Sequence, residues 1–136
     1  AFDPDTMEEQ WAFVPPPSLD KIRAIFNTKG DGDVLKGKTN SVYLVDGTPT
    51  IRDIFYGGEW RTVLMAGLGY AGKAYYALDI TNPSSPSHLF SFIHNNEKRI
   101  VDYWDASGTR TTYDYVEETV ADALNYSKLG EAWARP

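Results

Sequence analysis

Gly67, Gly69 and Gly72 in "MAGLGYAGKAYYALDIT" stand in the spacing G-x-G-x-x-G, directly after an apolar run. That spacing can cradle a dinucleotide pyrophosphate when a helix comes next, because the phosphates sit on the free N–H groups of the first turn. After Gly72 comes "KAYYALDI", which suits a buried strand better than a helix. The acidic residue that would hold a ribose about twenty residues further on is also missing, since Asp79 comes only seven after Gly72. The three glycines therefore read as a connection between two strands, where Gly supplies a positive φ or room for a neighbouring backbone.

Other residues with chemical potential are sparse. Asp31 and Asp33 lie two apart in the Gly-rich stretch "KGDGDV", a spacing that suits a hard cation. A third alternating carboxylate and the terminal bidentate Glu are absent, so a solvated loop is the simpler reading. Lys29-Gly30-Asp31 matches the Lys-Gly-Asp form of integrin-binding tripeptides, a match that chance supplies often. The sequon Asn125-Tyr126-Ser127 falls in an expected helix. His88 and His94 flank one strand six residues apart, which by alternation puts both on one sheet face, with no third metal ligand apparent. Arg52/Asp53 and Glu59/Arg61 fall at strand ends, where ion pairs between strands are ordinary. No Ser-His-Asp arrangement has a supporting motif.

The elements that must position these residues are mostly strands. In "AFDPDTMEEQWAFV", residues 1–14, a polar turn separates two short strands, and the prolines at 15–17 stop the second. Ser18 is placed to N-cap a short helix, "LDKIRAIF", with Leu19, Ile22 and Ile25/Phe26 on one face. Residues 27–41 are a polar, Gly-rich loop. Between 42 and 93, β-rich stretches surround the turn signals Asp46-Gly47 and "GGEW", and "RTVLMAGLG", "KAYYALDI" and "HLFSFI" come next as strands. Four strands joined by short turns predict an antiparallel meander, the unit of a propeller blade. "RIVDYWDASGTRTTYDYV" predicts a hairpin turning at Ala106-Ser107-Gly108. Asp114 and Glu117 resemble a capping box for a helix ended by Gly130, and "EAWARP" opens another strand.

Composition narrows the function classes. The chain has 136 residues, 42% hydrophobic and 14% aromatic, which suits one β-rich domain. Thirteen basic against nineteen acidic residues give a net charge of −6, and without a Lys/Arg cluster nucleic acid is an unsuitable partner. The absence of cysteine excludes disulfides, thiolate zinc sites and cysteine nucleophiles. No apolar run reaches the ~18 residues of a membrane-spanning helix.

The chain also echoes itself. "AFDPDTMEEQWAFV" and "ALDITNPSSPSHLFSFI" share Ala-x-Asp, a polar turn and a short apolar strand with aromatic residues. The small Ala1 or Ala77 allows close sheet packing, and Asp3 or Asp79 can accept hydrogen bonds from the turn just after it. Self-similarity of this kind points to stacked blades. The first copy resembles the tryptophan-docking motif of quinoprotein-type propellers, A-x-D-x-x-T-G-K-x-x-W. Ala1, Asp3, Thr6 and Trp11 match it, while Met7 and Glu8 replace its Gly and Lys.

A broader resemblance covers nearly the whole chain. "EEQWAFVPPPSLDKI", "YLVDGTPTIRDIFYGGEWRTVLMAGLGYAGKAYYALDIT" and "LGEAWARP" look like the C-terminal propeller of the PilY-type type IV pilus tip-associated adhesins. The resemblance implies a mainly β fold with short helical insertions: a partial β-propeller with one complete four-stranded blade and parts of its neighbours. Its expected parts are the end of one blade at 1–14, a helix and loop insertion at 15–41, the complete blade at 42–93, a second insertion with hairpin and helix at 94–128, and the first strand of the next blade at 129–136.

It further implies a non-catalytic scaffold on the bacterial cell surface, at the outer membrane or pilus tip and exported through the periplasm. Such a protein supports pilus biogenesis, twitching motility and adhesion. The implied partners are the other blades of the parent propeller, the pilus machinery or pilin subunits, and a host surface, with no small-molecule substrate. No cofactor is implied within these residues, although the family has a calcium loop, expected elsewhere in the parent protein. A lone blade exposes two faces that normally meet neighbours, so self-association of this piece is expected. The docking motif taken alone admits one other class, a fragment of a quinone-dependent dehydrogenase propeller.

Overall fold

In the computed structural model the described residues are 1–28 and 43–114. Asp31, Asp33, the Lys29-Gly30-Asp31 triplet, the sequon, the expected helix after Asp114 and the expected strand at 129–136 lie outside them.

Six strands form one antiparallel sheet in chain order: β1 (Thr50–Tyr56), β2 (Glu59–Gly67), β3 (Ala74–Asp79), β4 (Ser87–Asn95), β5 (Ile100–Trp104) and β6 (Arg110–Asp114). The expected meander is thus present as β1–β4, and the expected hairpin adds β5 and β6 to the same sheet by pairing with β4. Every connection is local, so each strand pairs with its sequence neighbour and little loop-closure entropy opposes the sheet. Gly57 and Gly58 make the β1–β2 turn with φ of 65° and 87°, the geometry of a two-residue type I′ hairpin.

The register fixes two faces. Leu64, Ala66, Ala74, Tyr76, Leu78, Ser91 and Ile93 share one, and Met65, Ala77, Tyr75, Phe90, Phe92, Val101 and Tyr103 share the other. The first face is covered by the chain's own start. Phe13 lies 5.4 Å from the Tyr76 ring and 5.8 Å from that of His88. Behind it, a 3₁₀ turn at Pro16–Ser18 runs into helix α1 (Leu19–Thr28). A cluster of Leu68, Ala71 and Ala74 forms the core, with Tyr76 and Ile93 packed on it.

Three local expectations change. Phe2 and Glu9 make a single bridge, so residues 1–14 are a turn with one bridge and not two strands. Ser18 does not cap α1 with its hydroxyl. Pro16 and Pro17 preset helical φ values, the helical run therefore begins before Ser18, and the buried hydroxyl donates instead to the Leu44 carbonyl at 3.0 Å. Asp46-Gly47 is not a hairpin turn: the Asp46 N–H donates to the Leu68 carbonyl at 3.2 Å, and the segment lies against the β2–β3 connection.

That docking is tight. A Cβ on Gly47 would lie 1.8 Å from the Gly67 carbonyl oxygen, and one on Gly69 would lie 3.0 Å from the Asp46 backbone. Gly47→Ala should cost roughly 1–3 kcal/mol, the range of core overpacking. Gly108→Ala, at a φ of 80° with open space around it, should cost about 1 kcal/mol from backbone strain alone. Chemical denaturation of both variants checks the order, and an equal or smaller loss for Gly47→Ala would refute the close approach.

Candidate functional site

The two Ala-x-Asp corners each build an Asp-centred turn. The Asp3 carboxylate accepts the N–H groups of Asp5 at 2.9 Å and Thr6 at 3.0 Å. The Asp79 carboxylate accepts the Thr81 N–H at 2.9 Å. Asx turns of this kind arise because a short side-chain oxygen reaches backbone donors two or three residues ahead. These bonds favour the ionised form. The Thr6 and Asp5 N–H groups hold the Asp3 carboxyl below the usual Asp range, and Thr81, with Arg61 adding its charge, does the same for Asp79.

The corners meet through Trp11. Its indole N–H donates to the Pro83 carbonyl at 2.8 Å, four residues beyond Asp79. The Ala1 nitrogen donates to the Trp11 carbonyl at 2.7 Å, which closes the first turn on itself. Ala77 is fully buried on the aromatic face of β3. Arg61 reaches Asp79 across the sheet at 3.2 Å and also pairs with Glu59 on its own strand, while Asp53 instead accepts from the Thr62 hydroxyl at 2.7 Å.

One departure from the docking motif has a backbone consequence. Met7 stands where the motif has Gly, and its φ is 59°, in the left-handed region that favours glycine. The side chain is 72% exposed, so packing does not repay this strain. The sequence held this signal in the mismatch itself.

Gly67 ends β2, and Gly69 and Gly72 lie in the connection to β3, where a hairpin was expected. Gly69 and Gly72 have φ of 59° and 143°, and Gly67 is the surface on which Gly47 rests. A strand, not a helix, comes after Gly72, so no helix N-terminus is offered to a phosphate. The Ala71 carbonyl of this connection accepts instead from the Lys21 ammonium of α1, and partial burial lowers the Lys21 pKa.

The two histidines do not share a face. The register shifts between Ala77 and Leu78, which pair with Phe90 and His88, leaving Leu89 as the extra residue of a bulge. One extra residue inverts the alternation, so His88 joins Ser91, whose hydroxyl lies 2.7 Å from its Nε2, while His94 is buried on the opposite face. Among the described residues no group of three or more His, Cys, Asp or Glu side chains could hold a metal ion. An open depression of about 300 Å³ beside Gly72 is lined by Lys73, Ile93, His94, Asn95, Asn96 and Glu97.

A feature without a signal in residue spacing lies in the β5–β6 hairpin. Asp102 is buried, yet it accepts from Arg110 at 2.6 Å and from the Thr112 hydroxyl. Burial alone would raise its pKa, and these two donors hold it below the usual value. Arg110 also lies 5.3 Å above the Trp104 ring. At the turn, Asp105 accepts from Ser107 and Thr109, which lower its pKa in turn.

The family described as PilY1 beta-propeller domain matches residues 2–123. Type IV pilus biogenesis factor PilY1 of Pseudomonas aeruginosa strain UCBPP-PA14 is 32% identical over 67% of this chain and 7% of its own length. The same factor from strain PAO1 is 37% identical over 62% of this chain and 7% of its own. A PilY1 homolog from Xylella fastidiosa is 35% identical over 62% of this chain and 5% of its own. The crystal structure of the P. aeruginosa PilY1 C-terminal domain aligns with a TM-score of 0.47 at 21% identity, covering 82% of this chain and 27% of that one. The chain spans less than a tenth of the length of these curated relatives.

Two measurements test the geometry. Met7→Gly should raise stability by about 1 kcal/mol by removing the left-handed strain, and an unchanged or lower denaturation midpoint would contradict it. Asp3, Asp79, Asp102 and Asp105 have depressed folded pKa values. Their contribution is full above the ordinary Asp value of about 3.9 and is lost as pH falls through the folded values. Asp102→Asn should flatten the acid limb of the stability profile, and an acid limb as steep as the parent's would contradict the assignment.

Proposed function

The chain belongs to the PilY1 β-propeller domain family, and from that premise we propose that it is a non-catalytic scaffold segment of a type IV pilus tip-associated protein that supports pilus biogenesis, twitching motility and surface adhesion. The observation that carries this reading is the bond from the Trp11 indole to the Pro83 carbonyl, which ties one Asp-turn corner to the next. A protein whose repeated polar groups hold its own turns spends them on architecture. The Asp3, Asp79, Asp102 and Asp105 carboxylates all accept from nearby groups of the same chain.

In this reading residues 1–14 end one blade, 42–93 form a complete one, and 129–136 begin the next, with insertions at 15–41 and 94–128. The half-buried aromatic face of Tyr75, Phe90, Phe92 and Tyr103 packs against a neighbouring sheet of the parent propeller. The parent acts at the cell surface or pilus tip after export through the periplasm. Its partners there are the pilus machinery or pilin subunits, and a host surface. Ala1, Thr6 and Ala77 serve blade docking alongside Asp3, Trp11 and Asp79.

Deleting the segment from the full-length protein in its organism of origin should abolish surface pili and twitching. Asn96→Ala and Glu97→Ala, in the depression beside Gly72, should leave both at parental levels. Normal piliation after the deletion would overturn the biogenesis role, and loss of pili in the point variants at normal protein abundance would overturn the scaffold role.

A further inference from the structure

The β1–β2 hairpin projects past the end of the sheet that supports it. β2 pairs with β1 from Glu59 onward but with β3 only from Val63. Thr62 is still tied to the next corner, its carbonyl accepting from Ile80 and its N–H donating to the Thr81 hydroxyl. Beyond that tie the tip from Phe55 to Trp60 extends by three residues, or about 10 Å at the rise of a strand.

This tip is built of rings. Phe55 and Trp60 pair across the hairpin with ring centroids 5.6 Å apart, and Tyr56 lies on the opposite face by alternation. The three are 62%, 67% and 70% exposed in that order, and Ile51 and Ile54 behind them are exposed as well. A Cβ added at Gly57 or Gly58 would meet nothing within 4 Å. Scattered apolar side chains on a surface are ordinary, but large rings gathered on one projecting ribbon mark a contact site.

Three properties select what covers them. The rings occupy both faces of a ribbon two strands wide, so a flat protein surface would reach one face and leave the other wet, whereas a fluid apolar medium covers both. Their exposed area is about 400 Å² at 150–250 Å² per ring side chain, half of the roughly 800 Å² that a stable protein partner needs on each side. The hairpin is also electrically balanced within a chain of net charge −6, because Arg52 and Arg61 offset Asp53 and Glu59. Glu59 is paired with Arg61, and Asp53 accepts from the Thr62 hydroxyl. A charged residue beside the turn limits entry to the headgroup boundary, the depth that Trp and Tyr favour because an apolar ring ends in a polar N–H or O–H.

We propose that the β1–β2 hairpin is a shallow membrane-contacting wedge, which seats Phe55, Tyr56 and Trp60 at the interface of a bilayer with zwitterionic headgroups. Three rings give a weak and reversible attachment, driven by apolar burial and not by charge. The inference stands on the hairpin's own residues, independently of the pilus assignment.

Flotation of the full-length protein with phosphatidylcholine–phosphatidylethanolamine vesicles provides the test. The parent should float with the vesicles equally at about 0.15 M and about 1 M salt, because screening leaves apolar contact intact. Phe55→Ser combined with Trp60→Ser should lower partition at least about tenfold. Tyr70→Ser removes an exposed ring from the β2–β3 connection, at the other end of β2, and should leave partition within about twofold. Tyr56→Trp should raise partition about threefold, and it keeps the test valid if the double variant fails to fold. No parental flotation, or flotation indifferent to the tip variants, overturns the proposal. A parental dimer abolished by the tip variants would assign the rings to a second copy of the chain and overturn it as well.

Discussion

Gly47 lies so near Gly67 that no side chain fits between them, and the chain's separate pieces converge on that contact. The segment it anchors presents the Leu44 carbonyl to buried Ser18 and the Tyr43 ring to Tyr70 at 5.0 Å. Lys21 reaches from α1 to the Ala71 carbonyl of the same connection. The core residues Leu68, Ala71 and Ala74 sit beneath it. Backbone-to-backbone packing therefore joins the chain's start, its helix and its central hairpin, and glycine is required there because any larger residue would hold the layers apart. Gly67 and Gly69 of the G-x-G-x-x-G spacing meet this demand, and Gly72 serves a positive φ in open space.

The second constraint is that a sheet has two faces. The first is covered by Phe13 and the proline turn, and its central residues Ala66, Ala74 and Ser91 are fully buried. Small residues there let the covering segment approach closely. The second face carries larger rings, with Phe90 stacked near Phe92 at 6.4 Å and Tyr75 at 5.7 Å from Phe92. These side chains remain half-buried. A six-stranded meander with one face dressed by its own chain and the other aromatic has the layout of a unit made to be stacked, which agrees with membership of a propeller family.

Much of this was legible because it rests on local rules. Turn glycines at Gly57-Gly58, period-two strands and Asp-centred corners each announce themselves within a few residues. The parts that escaped depend on non-local partners. Nothing near Ser18 says that its hydroxyl will find Leu44, twenty-six residues away, before it can cap a helix. Asp46-Gly47 reads as a hairpin turn until Gly67 claims it. The bulge at Leu89 separates His88 from His94 by inverting a parity that counting residues assumes to be constant. Nothing near Asp102 in the sequence announces its partners, and only the pairing of β5 with β6 brings Arg110 and Thr112 onto it. Sequence spacing predicts neighbours well along a regular strand and poorly across bulges and loops.

The central proposal is that this sheet is one layer of a stacked propeller, held to the next by its Asp-turn corners. The most direct test is a high-resolution structure of the full-length protein by cryo-electron microscopy. The account predicts Tyr75, Phe90 and Phe92 covered by a neighbouring sheet, with the Trp11 indole N–H still on the Pro83 carbonyl. A full-length structure in which that aromatic face meets water, or in which Trp11 has left Pro83, would contradict it.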